Sequence, residues 1–447
     1  MDVFRCSSGF NLTRPHRPYR IPLRQRIISV RSSYRLPFAE EKAKYYEHLQ
    51  AAVDVVERAC RLCVDVKKSL FSGDGNIIKK IDQTPVTIAD FGVQALVSLE
   101  MSKHFPSIPL VAEEDSAFLR ENNLVDAVVK VVTGKLTIRD KEISEDDILK
   151  AIDRGGKDAS LFGPKPATYW ILDPIDGTRG FVKGGEALYV VGLALVVEGE
   201  IVLGVMGCPN WQDEHSDSVT TEVPRDENTV SRSGILMISH VGCGTWRKSL
   251  WDAQTRNSEM VHNWTRCLVD GLHQVCEARI CIPESITWDS LPLSTQFNAT
   301  IDADHVGENQ ILLLPTCCGR FHFYAKEDRF AFPYYTFMTS QTLNNLALSM
   351  EYDVFLFCLP PKYLMVASGR ASVFILRTRS ERIIKVWDHA VGVICIHEAG
   401  GKITDWKGSQ LDFAADQVER RVLLPSGGIL ATNDSLHNEI LEIISSS

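Results

Sequence analysis

Two aspartates three positions apart, Asp173 and Asp176, are the strongest chemical signal in this sequence. They follow the apolar run Trp170–Leu172, which predicts a buried strand that ends in the two carboxylates. Hard divalent cations such as Mg²⁺ prefer oxygen ligands. The two side chains, with the backbone carbonyl of Ile175 between them, are therefore candidate ligands for one or two such ions.

The residues around this pair predict a turn into a helix. Pro174 favours an extended conformation at Asp173, and Gly177 permits a tight turn. The backbone N–H groups of Gly177 and Thr178 would then lie at a helix start, where such groups bind phosphate. The alternative is that the segment is only a turn with a helix cap, and the motif by itself leaves that open.

Other acidic residues lie at the ends of predicted elements, namely Asp82, Asp90, Glu113, Glu114 and Asp388. Glu113 and Glu114 follow the apolar run 108–112, and Asp388 opens a predicted helix. An acidic cluster repels itself unless cations neutralise it. A solvent-exposed position is the alternative for Glu114. We interpret His389 as a helix-cap or packing residue, because an all-oxygen site needs no imidazole.

Signatures of other chemistries are missing from the sequence. It contains no G-x-S-x-G motif, no P-loop and no G-x-G-x-x-G after a predicted strand. Metal-assisted phosphate chemistry is therefore the interpretation that the residues favour by themselves.

The elements that must position these residues alternate along the chain. Helices are predicted at about 40–71, 91–104 and 436–444, and strands at about 108–112, 170–172, 188–197 and 200–208. Buried strands that alternate with helices are typical of a layered α/β architecture. We expect two lobes that meet near residue 225, an α+β lobe at 39–225 with the metal motifs and an α/β lobe at 226–447.

Composition excludes several classes of protein. The 447 residues are 45% hydrophobic, which is enough for sizeable cores. The 48 Lys and Arg against 57 Asp and Glu give a net charge of −9, which argues against a nucleic-acid coat protein or a polybasic membrane binder. The longest apolar run, Ala187–Val197, is far shorter than a bilayer span. We therefore expect neither nucleic acid nor membrane as a partner.

The N-terminal segment 1–38 has a charge of its own. It holds eight Arg, no Lys and one acid, Asp2, so its net charge is 8 − 1 = +7. An Arg-rich, acid-poor N-terminus without an apolar core is typical of an organelle transit peptide. We predict a mitochondrial destination with the chloroplast as the alternative, and a retained basic arm is the competing interpretation.

Twelve cysteines in a chain of this length do not indicate a disulfide scaffold. Cys60 and Cys63 form a C-x-x-C pair, but they also continue an apolar stripe with steps of three and four residues. We predict that both lie in the core.

The ordered motifs resemble those of the inositol monophosphatase-like metal-dependent phosphatases. They are Asp82–Asp90, Val111–Asp115, Trp170–Phe181, Trp387–Gly392 and Glu398–Asp405. Within that superfamily the sequence is most similar to the 3′(2′),5′-bisphosphate nucleotidases, in the form of a plant organellar member. The resemblance implies an αβαβα layered sandwich. It also implies that the protein is a monomer that binds 3′-phosphoadenosine 5′-phosphate (PAP). The sulfated analogue PAPS is a second possible substrate.

The resemblance assigns roles to individual residues. It implies hydrolysis of PAP to AMP and phosphate with two or three Mg²⁺ ions and inhibition by Li⁺. The implied metal ligands are Glu113, Asp173, the Ile175 carbonyl, Asp176 and Asp388. Asp82 and Thr178 would orient and deprotonate the attacking water, with Asp90 and Glu114 behind the ligands or at a third ion. The implied substrate contacts are Gly177, Thr178, Lys362 and Arg377.

The sequence departs from the family pattern before the last metal motif. The family carries Ser-x-x-Lys-Tyr on the strand at this place, whereas here Leu359 precedes Lys362-Tyr363. The segment 320–361 has no recognisable family counterpart. We interpret it as translated intron, and a genuine lid loop is the alternative. Two other functions stay open, an inositol (poly)phosphate phosphatase and a catalytically impaired PAP-binding protein.

Overall fold

The apolar stripe that contains Cys60 and Cys63 forms the buried face of a long helix, α1 (Tyr46–Ser69), in the computed structural model of the chain. Both cysteines are free thiols and fully buried, which confirms their prediction as core residues. The predicted helix start at residue 40 is wrong. Ala43 and Tyr45 are not helical, and the Tyr45 N–H donates to His240 Nε2 at 3.2 Å.

The structure describes residues 35–70, 78–79, 85–136, 143–156, 158, 167–183, 188–211, 234–251, 264–281, 360–378, 383–416 and 418–445. These residues belong to one compact unit, Ser32–Ser447. The predicted transit peptide, Asp82 and almost all of the segment 320–361 lie outside them. No helix in these ranges combines the length and apolar character needed to cross a bilayer.

After α1, the described elements in chain order are β1 (Ile78–Lys79), β2 (Pro85–Val86), α2 (Ile88–His104), β3 (Leu110–Ala112), α3 (Ala117–Glu121), α4 (Val125–Thr133), α5 (Glu145–Gly155), β4 (Tyr169–Asp176), α6 (Thr178–Lys183), β5 (Val190–Val197), β6 (Glu200–Cys208), β7 (Ile235–His240), β8 (Gly244–Ser249), β9 (Thr265–Arg266), β10 (Ile280–Cys281), α7 (Pro360–Ala367), β11 (Val373–Arg377), β12 (Ile384–Lys385), α8 (Trp387–Glu398), β13 (Gly401–Asp405), β14 (Val422–Leu423), β15 (Gly428–Asn433) and α9 (His437–Ser445).

The first large sheet has seven strands in the order β3-β4-β5-β6-β7-β8-β9. β3 and β4 are parallel, and the other neighbours are antiparallel. Glu198 and Gly199 both have positive φ, 53° and 92°. Positive φ at both central residues is typical of the two-residue turn between antiparallel strands, so the tight turn predicted between β5 and β6 is confirmed.

Side chains of this sheet alternate between two cores. Along β4, Trp170 and Leu172 pack with residues of α1 and α2, whereas Tyr169 and Ile171 pack with residues of α8. The period of two residues is the one that a strand covered on both faces requires. The sheet therefore separates a helical layer, α1 and α2, from a central layer that contains α8.

The second sheet, in the order β10-β11-β15-β13, repeats this arrangement. Phe374 of β11 packs into the core that contains α7 and α8, and its neighbour Ile375 packs with Ile440 of α9. The layers are thus α1/α2, the seven-stranded sheet, α7/α8, the four-stranded sheet and α9. This order confirms the predicted αβαβα sandwich.

The structure differs from the sequence expectation at Lys362-Tyr363 and leaves the lobe boundary untested. Lys362-Tyr363 lies on the helix α7 rather than on the expected strand; Pro360 and Pro361 are tolerated there because a proline in the first turn removes no helical hydrogen bond. The lobe boundary near residue 225 lies outside the described residues and stays a prediction, while strands on both sides of it belong to the seven-stranded sheet.

Candidate active site

An irregularity in β4 brings Asp173 and Asp176 to the same side of the sheet. Asp173 is paired with Gly192 of β5, and Asp176 with Val190, so three steps on β4 match two on β5. Residues three apart on a regular strand face opposite sides, and one extra residue cancels that difference. Pro174 lies in this bulge, where its missing N–H breaks no ladder hydrogen bond. Both carboxylates therefore face the layer of α8.

The parallel pairing of β3 with β4 places Glu113 beside this pair. Ala112 is the register partner of Leu172, so Glu113 is level with Asp173. The carboxyl ends of parallel strands meet at one sheet edge, which is where α/β proteins bind ligands. Glu113 is half-buried there.

A buried glutamine fixes the chain that follows Glu113. The Gln94 amide accepts the Glu114 N–H at 2.8 Å and donates to the carbonyls of Glu114 at 2.7 Å and Ile152 at 2.8 Å. The Glu114 side chain is 3% exposed, so the solvent-exposed alternative for it is wrong. One amide of α2 thereby connects α5 to the loop that carries Glu113.

Electrostatics show which acids share the site. The pKa of Asp173 is raised well above its ordinary value, chiefly because burial penalises its charged form. The like charges of Asp176, Glu113, Asp388 and Asp90 add to the rise, in that order. Asp388 lies in the first turn of α8. The structure therefore brings together Asp173, Asp176, Glu113, Asp388 and Asp90. These are five of the six acids predicted as metal ligands or supporting groups, and the sixth is Glu114.

This donor set fits Mg²⁺. Asp173 Oδ1 is buried and has no hydrogen-bond partner within the described residues, and several like charges surround it. No three His, Cys, Asp or Glu side chains in the described ranges have the arrangement of a complete metal cage. Mg²⁺ does not need one, because it keeps several waters and commonly binds one or two carboxylates together with substrate phosphate.

Thr178 is held by groups on two elements. Its hydroxyl lies 3.1 Å from Asp90 Oδ1 and 2.9 Å from the Ile175 carbonyl oxygen. Asp90 Oδ2 accepts the N–H and the hydroxyl of Thr87, at 2.8 and 2.7 Å, in a capping box at the start of α2. The carboxylate that reaches Thr178 is thus itself fixed. Asp82, the partner expected for Thr178, lies outside the described residues.

The expected substrate residues lie on different elements, Gly177 and Thr178 where β4 meets α6, Lys362 on α7 and Arg377 on β11. Gly177 has φ 91° and forms the turn between β4 and α6, which begins at Thr178. Lys362 is buried on α7 near Cys281. Burial raises the pKa of the Cys281 thiol to about 12, and the charge of Lys362 opposes part of that rise. Arg377 ends β11 with its guanidinium 5.9 Å from the Trp406 ring centroid. Arg377 thus lies on the second sheet, and Lys362 lies on the helix α7 that packs against it.

Sequence reasoning missed Tyr363. Its hydroxyl lies 2.7 Å from Nδ1 of His389, the residue after Asp388, and both side chains are fully buried. The packing role predicted for His389 agrees with this geometry. Tyr363 and His389 are 26 residues apart in the chain, so no local pattern predicts their contact. The only signal in the sequence is that each follows a predicted site residue, Lys362 and Asp388.

A sequence profile of the inositol monophosphatase family matches residues 42–223 and 343–447. The chain belongs to this family. Members of the inositol monophosphatase family are in general Mg²⁺-dependent phosphatases. The profile leaves out 224–342, which includes part of the segment 320–361, and it resumes at residue 343 inside that segment.

Relatives extend the similarity over nearly the whole chain. An Arabidopsis thaliana protein provisionally named a mitochondrial 3′(2′),5′-bisphosphate nucleotidase is 55% identical over 425 residues, 95% of this chain and 93% of its own. The 3′,5′-bisphosphate nucleotidase 2 of the same plant is 30% identical over 90% of this chain and 97% of its own. Among solved structures, an IMPase of Thermotoga maritima is 17% identical and covers 90% of this chain and 97% of its own with a TM-score of 0.47.

Proposed function

We propose that this protein is a Mg²⁺-dependent phosphomonoesterase that hydrolyses PAP to AMP and phosphate. The observation that carries the proposal is the cluster of Asp173, Asp176 and Glu113 at one sheet edge with Asp388, in the first turn of α8, beside it. A cluster of that charge needs cations, and cations at a strand edge next to phosphate-binding N–H groups suit phosphate ester hydrolysis. The names of the relatives supply the substrate class.

The proposed ligands of two or three Mg²⁺ ions are Glu113, Asp173, the Ile175 carbonyl, Asp176 and Asp388. Ions at such a site lower the pKa of a bound water and stabilise negative charge on the attacking and leaving oxygens. Catalysis then requires that the chain hold these oxygens and the phosphate in line.

The Thr178 hydroxyl is the best-supported catalytic group of the chain. Its oxygen is held by two hydrogen bonds, to Asp90 Oδ1 at 3.1 Å and to the Ile175 carbonyl oxygen at 2.9 Å. We propose that Thr178 and Asp82 orient the attacking water and deprotonate it, for which Asp82 needs only hydrogen-bond reach to that water. Asp90 acts behind Thr178 by fixing it, and Glu114 acts behind Glu113.

The remaining contacts are proposed for the nucleotide. The N–H groups of Gly177 and Thr178 would bind the phosphate that is cleaved. Lys362 and Arg377 would bind the second phosphate and ribose side. PAPS is a second possible substrate of the same pocket. We further propose that the monomer acts in the mitochondrion after removal of residues 1–38, as the name of the 55% identical relative suggests.

The test is a substrate panel. The purified chain is given PAP, PAPS and inositol 1-phosphate with Mg²⁺, with and without Li⁺, and phosphate release is measured. We expect PAP to be hydrolysed fastest and Li⁺ to inhibit. Faster release from inositol 1-phosphate would favour an inositol phosphate phosphatase. Binding of PAP without turnover would favour the catalytically impaired protein.

A further inference from the structure

A buried hydrogen bond joins α7 to α8 next to the carboxylate cluster. The Tyr363 hydroxyl lies 2.7 Å from His389 Nδ1, and neither side chain is accessible to solvent. The tyrosine O–H is the donor when Nδ1 is the unprotonated nitrogen of a neutral imidazole. A buried polar pair of this kind fixes the relative position of the two helices, because either group would be costly to leave without a partner.

The tyrosine ring is packed closely on two sides. A Cβ at Gly392, one turn after His389, would lie 2.2 Å from Tyr363 Cγ, so the ring packs directly on the α8 backbone. On its other side the ring is edge-on to Phe374, with centroids 5.0 Å apart. The Tyr363 ring is thus confined between α8 and β11, with its hydroxyl at hydrogen-bond distance from His389.

This pair is adjacent to the groups that carry the proposed function. His389 follows Asp388 in the first turn of α8. Burial raises the pKa of Tyr363, and the charges of Asp388 and Asp176 raise it further, so the ring lies close to both carboxylates. A shift of α8 along or around its axis would move Asp388 relative to the pair on β4.

We propose that Tyr363, through its hydrogen bond to His389, is a positioning residue that fixes the first turn of α8 so that Asp388 faces Asp173 and Asp176. The inference rests on the proposed function, because it assumes that these carboxylates hold Mg²⁺. Groups that orient metal-binding carboxylates typically contribute about 10–100-fold to metal affinity or activity.

The test compares Tyr363→Phe with a matched control, Tyr169→Phe. The Tyr169 hydroxyl is also buried and donates to a carbonyl, that of Phe413 at 2.8 Å. Both variants lose one buried hydrogen bond and no ring. Mg²⁺ is titrated into each chain while the melting temperature is recorded. We expect the Mg²⁺ concentration for half-maximal stabilisation to rise about tenfold in Tyr363→Phe only. Kinetics should show a lower kcat for PAP in that variant with little change in KM.

A second pair of variants protects the test against misfolding of Tyr363→Phe. His389→Asn keeps an acceptor oxygen near the place of Nδ1, and His389→Leu removes it. We expect the Asn variant to keep a Mg²⁺ response close to that of the wild type and the Leu variant to show the same rise, about tenfold, as Tyr363→Phe. Equal Mg²⁺ responses in Tyr363→Phe and Tyr169→Phe would overturn the inference. A wild-type chain that shows no response to Mg²⁺ would instead contradict the proposed function.

Discussion

At the scale of single residues, the site depends on one extra residue in β4. Without the bulge at Pro174 and Ile175, Asp176 would face α1 and α2 instead of the layer that contains Asp388. The same bulge turns the Ile175 side chain into the core beside α1 and α2 and leaves its carbonyl near Thr178. One backbone irregularity thereby arranges two carboxylates and a hydroxyl.

The hydroxyl of Thr178 is open to a direct test. Thr178→Val keeps the side-chain volume but removes the group held by Asp90. We expect kcat for PAP to fall at least about 100-fold with little change in KM, because positioned proton-transfer groups typically contribute 10²–10⁴-fold. Thr133→Val is the control, since that exposed hydroxyl donates only within α4, to the carbonyls of Val129 and Lys130. Equal kcat values for the two variants would exclude a catalytic role for Thr178.

At the scale of elements, α2 connects the parts of the site. Its capping box holds Asp90 at its start, and Gln94, one turn later, holds the loop after β3. Asp90 and Gln94 are both buried, so water cannot take over the hydrogen bonds that either side chain makes. The position of Glu113 therefore depends on a helix that contributes none of the proposed metal ligands.

Removal of the Gln94 amide should show this dependence. Gln94→Leu removes the partner of the N–H and the carbonyl of Glu114, and each unmet group costs about 1–3 kcal/mol. The Ile152 carbonyl keeps the Gly156 N–H at 3.0 Å. We expect the free energy of unfolding in urea to fall by at least about 2 kcal/mol. Ser102→Ala, which removes only a bond to the Leu99 carbonyl in the same helix, should cost far less. Similar losses in both variants would contradict the role given to Gln94.

His437 makes the attachment of α9 to the second sheet dependent on pH. Its two ring nitrogens lie 2.9 Å from Thr404 Oγ1 and 2.7 Å from Thr432 Oγ1, on β13 and β15. Burial, and then the charge of Lys402, lower its pKa from 6.5 to about 4. The folded chain therefore resists protonation that the unfolded chain accepts, so stability is complete above pH 6.5 and is lost as the pH falls towards 4.

The expected loss from this group alone is about 2 kcal/mol between pH 7 and pH 5. Urea unfolding of His437→Gln at both pH values should show a pH dependence smaller by that amount. His273→Gln, at an exposed histidine, is the control and should keep the wild-type dependence. An unchanged dependence in His437→Gln would show that His437 titrates normally in the folded chain.

At the scale of the whole molecule, α8 is the element that both sheets share. It lies between the seven-stranded and four-stranded sheets, and its first turn presents Asp388 towards β4. A Cβ at Gly204 of β6 would lie 2.6 Å from Ile394 Cγ2, so the helix packs directly on the first sheet. The layered fold thus determines the distance between ligands that are more than two hundred residues apart in the chain.

The segment 320–361 affects the length of the chain as a whole. We propose that it is translated intron. Residues 320–342 lie in the part that the family profile leaves unmatched, whereas 343–361 lie in a part that it matches. Sequencing the mature transcript across codons 319–362 decides the matter. We expect a shorter message without these codons, and an uninterrupted reading frame of full length would contradict the proposal.

The sequence predicts the layers and the acids of the site, since apolar periodicity marks the strands and each acid lies at one end of a predicted element. It does not predict the bulge at Pro174, because strand register depends on the partner strand. Nor does it predict the contacts Thr178–Asp90 and Tyr363–His389, which join separate elements. The Thr87-x-x-Asp90 spacing, a capping-box signature, was a usable signal for the first of these.

A chelator and one variant test whether the carboxylate cluster is a Mg²⁺ site. Phosphate release from PAP is followed for the wild-type chain and for Asp173→Asn, each with Mg²⁺ and with excess EDTA. We expect the wild type to release phosphate and leave AMP only with Mg²⁺, and Asp173→Asn to lose about 99% of this rate, since groups at a metal site contribute up to about 100-fold. A rate that survives EDTA, or an Asp173→Asn variant as active as the wild type, would contradict a Mg²⁺ site at the carboxylate cluster.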